Sequence, residues 1–177
     1  MLLTKKNLDW VMKASNPKNG SLQGSNELQF FNKKVFACNG FRIHCIDTNR
    51  EHGNITEFPV DAFWNKKDDE VFEKNHVEFP ISLLKGNIPK NKNVVLTIDK
   101  DHLTISHDDG IYYKTTIPTF VPSSYFWAKF QSNFLIDMLD IPVQKNAKLK
   151  ICCEGNGSPL NFRCSTFSGI IMSLYTS

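Results

Sequence analysis

The chain has no run of about 18 apolar residues, the minimum for a membrane-crossing helix, and Met1-Leu2-Leu3-Thr4-Lys5-Lys6 lacks the apolar core of a secretory leader. A cytoplasmic protein is expected. Also missing are a glycine-rich phosphate loop, a nucleophile motif and an HExxH pair. Neither enzyme chemistry nor a cofactor or metal is therefore expected. Cysteine is sparse. Cys38, Cys45, Cys152, Cys153 and Cys164 form no CxxC pair and mostly fall within strand patterns, which points to buried thiols rather than disulfides or a zinc site. His44 and His52 lie close to Cys38 and Cys45 in sequence, but the spacing fits no zinc pattern. A strong charge of either sign is missing too: the net charge of +3 permits nucleic acid as a partner without requiring it.

What is present is apolar and aromatic. The 177 residues are 41% hydrophobic and include 14 Phe, enough for a real core. The C-terminal stretch is the most readable. Phe134, Leu135, Met138 and Leu139 form one helical stripe between Gln131 and Ile141, and Pro142 closes it. Three strands are expected after it: Lys148–Cys153, Leu160–Cys164 and Ile170–Tyr175. Ser168-Gly169 is read as a break before the last.

The same unit, a helix followed by an antiparallel meander, is expected twice more. In the first, a helix over residues 4–15 has Leu8, Val11 and Met12 as its buried stripe and Lys6, Trp10 and Lys13 outside. A polar loop, 15–26, leads to strands at 27–31, 35–38 and 41–46. In the second, Val77-Glu78-Phe79 leads into a short helix over Pro80–Ile88, then strands at 94–98, 102–106 and 111–117. Between them, 61–75 reads as a charged connector with room for a turn of helix, and 118–124 joins the last unit. The fold class is α+β, with about three helix-plus-antiparallel-meander units. The expected division is a domain over 1–120, made of units 1–60 and 76–117, and a half-domain over 121–177.

Three regions, the C-terminal one at more than one place, resemble the bacterial sliding clamp, the beta subunit of DNA polymerase III. Phe130–Leu139 resembles the clamp's "FNpkYLlDaL" helix start, and Gly169–Ser177 resembles its closing "YlimPmrl". Val35–Ile43 resembles "l.avaTDGHRLa", and Val77–Leu84 resembles "vPrkaLeel" in its expected place. The resemblance implies the DNA clamp fold, about one and a half clamp domains of it. It also implies a client-peptide pocket made by Gly40, Phe41, Arg42 and Ile43 with Met172, Ser173, Leu174 and Tyr175, in which Arg42 sits at the rim. It implies sequence-independent contact of Lys5, Lys6, Lys13, Lys85 and Lys90 with duplex DNA. Polymerases or other replication proteins are the implied partners, and a homo-oligomer the implied assembly. A full ring has twelve units, so four chains of three would supply them. Departures are Asn39 for the motif's Asp, Phe41 for its His and Ser173 for the closing proline. An adaptor that keeps the pocket without encircling DNA is the alternative.

Overall fold

The computed structural model describes residues 3–15, 27–52, 66–107, 110–117 and 125–174. Helix α1 (Lys5–Met12) is followed by strands β1 (Gln29–Phe31), β2 (Lys34–Cys38) and β3 (Arg42–Asp47). Helix α2 (Lys66–Asn75) leads into β4 (Val77–Pro80), a 3-10 turn over Ile81–Leu83, and β5 (Asn93–Asp99), β6 (His102–His107) and β7 (Gly110–Thr116). Last come β8 (Phe126–Gln131), α3 (Ser132–Leu139), β9 (Lys148–Cys152), β10 (Leu160–Cys164) and β11 (Phe167–Ile171). The α+β class and the three meanders are as expected.

The strands form two antiparallel sheets. One has seven strands in the order β1-β2-β3-β11-β10-β9-β4, the other four in the order β7-β6-β5-β8. The first and last meanders are thus one sheet, joined where β11 pairs with β3 from Phe167↔Ile46 to Ile171↔Arg42. The lead-in strands are exchanged: β4 pairs with β9 of the last unit, and β8 pairs with β5 of the middle one. A cut at residue 120 would leave the two partners of each ladder on different pieces. One core runs across the inner faces of both sheets, through Phe79, Leu96, Phe126, Phe130, Ile151 and Phe162. A smaller cluster of Phe36, Cys38, Ile43 and Cys45 lies on the opposite face of the larger sheet.

Several local expectations are corrected. Trp10 of α1 is buried and Leu8 only half-buried; the inward stripe is Asn7, Trp10, Val11 and Ala14. The indole reaches across the molecule, with its Nε1–H donating to Asp137 O at 3.0 Å and its ring edge-on to Phe162 and Phe167. The helix expected over Pro80–Ile88 shrinks to the 3-10 turn. Pro80 is extended and offers no side-chain cap, and Gly86 turns the chain at a φ of +91°. The charged connector contains a ten-residue helix, α2, on the outer face of the larger sheet. Its Phe72 is buried beneath the Arg163 guanidinium, 4.1 Å from the ring centroid. Ser168 and Gly169 sit inside β11, not at a break; the turn falls earlier, where Ser165 takes a φ of +56°. Gly169 is needed there because a Cβ would lie 2.6 Å from Phe162 Cζ on the neighbouring strand. The expected last strand, Ile170–Tyr175, therefore belongs to β11 only as far as Ile171.

All five cysteines are free, four of them buried, as the strand patterns suggested. The expected loop over 15–26, apart from Ser15, and the joining segment 118–124 lie outside the described residues. No described helix is long and apolar enough to cross a membrane.

A candidate peptide-binding cleft

Between β2 and β3 the chain makes a tight turn. Asn39 Oδ1 accepts the backbone N–H groups of Phe41 and Arg42, each at 3.1 Å, and Gly40 takes a φ of +83°. The turn drives Phe41 outward, where the ring is 52% exposed. Beyond β11 the chain runs past this turn and stitches the molecule together. Met172 N–H donates to Phe41 O at 2.7 Å, Leu174 N–H donates to Lys129 O at 2.7 Å, and the Ser173 hydroxyl donates to Gly157 O. Backbone hydrogen bonds therefore fix Met172 to the 39–41 turn and Leu174 to β8.

These elements and the start of α3 enclose a cleft of about 630 Å³. Phe41, Phe134, Met172 and Leu174 supply its apolar walls; Asn39, Gln131, Asn133 and Asp137 supply polar groups. Asn133 is held by Asn91, to which its Nδ2–H donates at 2.8 Å. Five of the residues expected from sequence meet here: Phe41, Arg42, Met172, Ser173 and Leu174. Gly40 shapes the turn without lining the cleft. Ile43 points to the opposite face, into the small cluster with Phe36. Tyr175 lies outside the described residues. Gln131, Asn133, Phe134 and Asp137 were missed as site residues, although the helix start that contains them was visible.

Arg42 is not a rim group. Its side chain is 7% exposed, with one NH group donating to Asp137 Oδ2 at 2.5 Å, another to the Lys13 carbonyl, and the guanidinium lying 4.5 Å over the Phe134 ring. It braces α1 against α3 and holds Phe134 in the wall. Beneath it, His44 stacks on Trp10 at 4.3 Å and its Nδ1–H donates to Trp10 O at 3.0 Å. Burial, only partly opposed by that hydrogen bond, pushes the imidazole down to about 3, so it is neutral at physiological pH.

On the other side of Met172 lies a second cavity of about 280 Å³, between α2 and the outer face of β9, β10 and β11. Val71, Phe72, Cys152, Pro159, Ile170 and Met172 give it apolar lining. Arg163 and Asp69 form an ion pair of 2.5 Å at its edge. Met172 is common to both spaces, so a ligand lying over its side chain would reach each of them. Nothing local marks α2 as a wall, because the helix carries only two apolar residues.

The lysines expected on DNA divide into two groups. Lys13 pairs with Asp140 at 2.7 Å and stands 3.8 Å from Asp137, and Lys85 reaches Asp140 at 3.5 Å. Burial would raise the Asp140 carboxyl, but bonding to Lys13 and the nearby Lys85 charge outweigh it and hold that group below its ordinary range. Lys5, Lys6 and Lys90 are exposed and have no acidic partner among the described residues. Of the five expected lysines, these three are the ones left without an ion pair among the described residues.

No family model matches the sequence, and no curated protein is matched by it. Solved structures do match. The beta clamp of Helicobacter pylori bound to a DNA ligase peptide superposes with a TM-score of 0.72 at 10% identity, covering 96% of this chain and 62% of that one. The sliding clamp of Caulobacter crescentus gives 0.71 at 10% identity, over 97% and 63%. The DNA polymerase III beta subunit of Borrelia burgdorferi, solved with a natural product, gives 0.68 at 13% identity, over 98% and 61%. This chain thus has the fold of the bacterial sliding clamps and spans about three fifths of their length.

Proposed function

We propose that this chain is a non-catalytic docking protein of DNA replication, built on the clamp fold, that binds an apolar peptide segment of a replication enzyme across Met172. The observation that carries the reading is the junction at Met172. A 40% exposed methionine stands between a cleft walled by Phe41, Phe134 and Leu174 and a cavity walled by Phe72 and Ile170. Exposed apolar surface of this kind marks a binding site, and a flexible thioether flanked by aromatic rings accommodates varied apolar anchors. One of the structural neighbours was solved with a DNA ligase peptide bound, which supports the same use here.

The test is fluorescence anisotropy of a labelled peptide with two apolar anchors, titrated with the wild-type chain and with Met172→Ala/Leu174→Ala. Saturable micromolar binding is expected, weakened at least about tenfold in the variant, since truncating two central apolar contacts typically costs more than 1 kcal/mol. Absence of binding by the folded wild-type chain would remove the reading.

Holding duplex DNA is the second part of the proposal, and Lys13 and Lys85, engaged by Asp140, do not carry it. It rests on Lys5, Lys6 and Lys90 and on assembly of several copies into a ring. DNA affinity that falls steeply with salt, together with a solution mass above that of one chain, would support it. Peptide binding without either would favour the adaptor that keeps the cleft alone.

A further inference from the structure

We propose, resting on the reading above, that the peptide taken by this cleft carries lysine or arginine, and not aspartate or glutamate, beside its apolar anchors. Two arginines line the site, and both are already engaged in the same way. Arg42 lies over Phe134 and is held by Asp137 and the Lys13 carbonyl. Arg163 lies over Phe72 and is held by Asp69 at 2.5 Å and Glu73 at 3.5 Å.

In each pair the carboxylate is the more open partner. Asp137 is 29% exposed against 7% for Arg42, and Asp69 is 58% exposed against 31% for Arg163. Glu154 adds a third carboxylate to the lining; it is exposed and has no ion pair among the described residues. Three carboxylates thus line the two spaces against two guanidiniums, and the guanidiniums are the covered groups. Lys13 is 3.8 Å from Asp137 but is drawn to Asp140 at 2.7 Å, and neither Lys13 nor Asp140 lines the cleft. Lys34, which shares a pocket with Asp69, is paired with Asp47 at 2.5 Å.

A carboxylate accepts several hydrogen bonds, and Arg42 occupies one oxygen of Asp137, so acceptor capacity is left over. An ammonium or guanidinium on the ligand finds those acceptors. An acidic flank meets open carboxylates and, among the described residues that line the two spaces, no exposed cation without a carboxylate partner, which is repulsion of the kind that sets partner choice.

The experiment uses three labelled peptides with one shared apolar core, flanked by two lysines, two serines or two aspartates, titrated by anisotropy at low salt and at about 0.5 M salt. The lysine form is expected to bind about threefold to fivefold tighter than the serine form, the size of one or two partly solvated charge contacts. The aspartate form is expected to bind weaker than either, and the spread to narrow in high salt. Glu154→Gln should reduce the lysine advantage, read as the ratio of lysine-form to serine-form affinity in the same folded variant. An aspartate form that binds as tightly as the lysine form, while the serine form binds, would overturn this inference and leave the docking reading standing. No binding by any of the three would overturn both.

Discussion

At the residue scale, His44 shows what burial does to chemistry. It is fully enclosed, stacked on Trp10 and unable to charge until its surroundings give way. Its folded value of about 3 lies below the roughly 6.5 of an unfolded chain. Between those values the unfolded state binds a proton that the folded state refuses, so stability is fully present above about 6.5 and is lost as pH falls. The expected slope approaches about 1.4 kcal/mol per pH unit from this group alone. Urea midpoints measured from pH 7 to pH 4 should fall more steeply for wild type than for His44→Phe, which keeps a ring against Trp10. Parallel slopes would show that the histidine titrates freely in the fold. The same enclosure explains what was legible. The alternation over β3 placed His44 on a strand, but nothing local says that Trp10 stacks on it. Trp10 itself was expected outside because the stripe Leu8, Val11 and Met12 is equally helical. The choice between the two was made by the rings of His44, Phe162 and Phe167, against which Trp10 packs, and no residue near Trp10 in sequence encodes them. Gly169 was misread for the same reason: a glycine in a strand reads as a break until the Phe162 ring opposite it is seen.

Among the elements, the strands and α3 were readable because their periodicity is local and strong, whereas α2 and the 80–88 segment were not. The sequence of α2, KKDDEVFEKN, holds only Val71 and Phe72 as apolar residues. A ten-residue helix of that composition is marginal by itself in water. It exists here because Phe72 fills a site on the outer sheet face while Glu73 and Asp69 engage Arg163, and Glu73 also meets Lys150 at 3.2 Å. Those pairs are largely exposed and contribute little each; the phenylalanine supplies the anchor. Phe72→Ala should therefore release α2 with a loss of up to about 3 kcal/mol. Amide exchange over 66–75 should rise towards that of an unfolded segment while β9, β10 and β11 stay protected. Unchanged protection in α2 would mean that the ion pairs hold it. Release of this helix would also open the smaller cavity, so the variant should weaken the peptide while leaving the cleft around Phe134 in place.

For the whole molecule, the decisive feature is the exchange of lead-in strands, and the sequence could not show it. Val77–Phe79 reads as the lead-in of the middle unit and Lys129-Phe130 as that of the last, which is true along the chain. Hydrogen bonding assigns each to the other's sheet, through Phe79↔Leu149 and Leu96↔Ala128 among others. Pairings of this kind depend on residues some 30 to 70 positions apart, where pattern reading has no purchase. The consequence is cooperative: neither sheet can lose its borrowed strand without disturbing the unit that lent it. Phe79 tests this, since it is 1% exposed, sits in β4 and packs into the core shared by both sheets. Phe79→Ala should cost about 3 to 5 kcal/mol, and the loss should appear equally in the opening free energies of amides in β9 and in the β5–β8 ladder, measured by native-state hydrogen exchange. If the units instead behaved as separable pieces, β4 and β9 would lose protection while β5 and β8 kept theirs, and the three units would be a row of independent modules. Equal loss would mean that the cleft, whose wall of Gln131 and Phe134 follows directly from β8, is held rigid by the same exchange that closes the sheets.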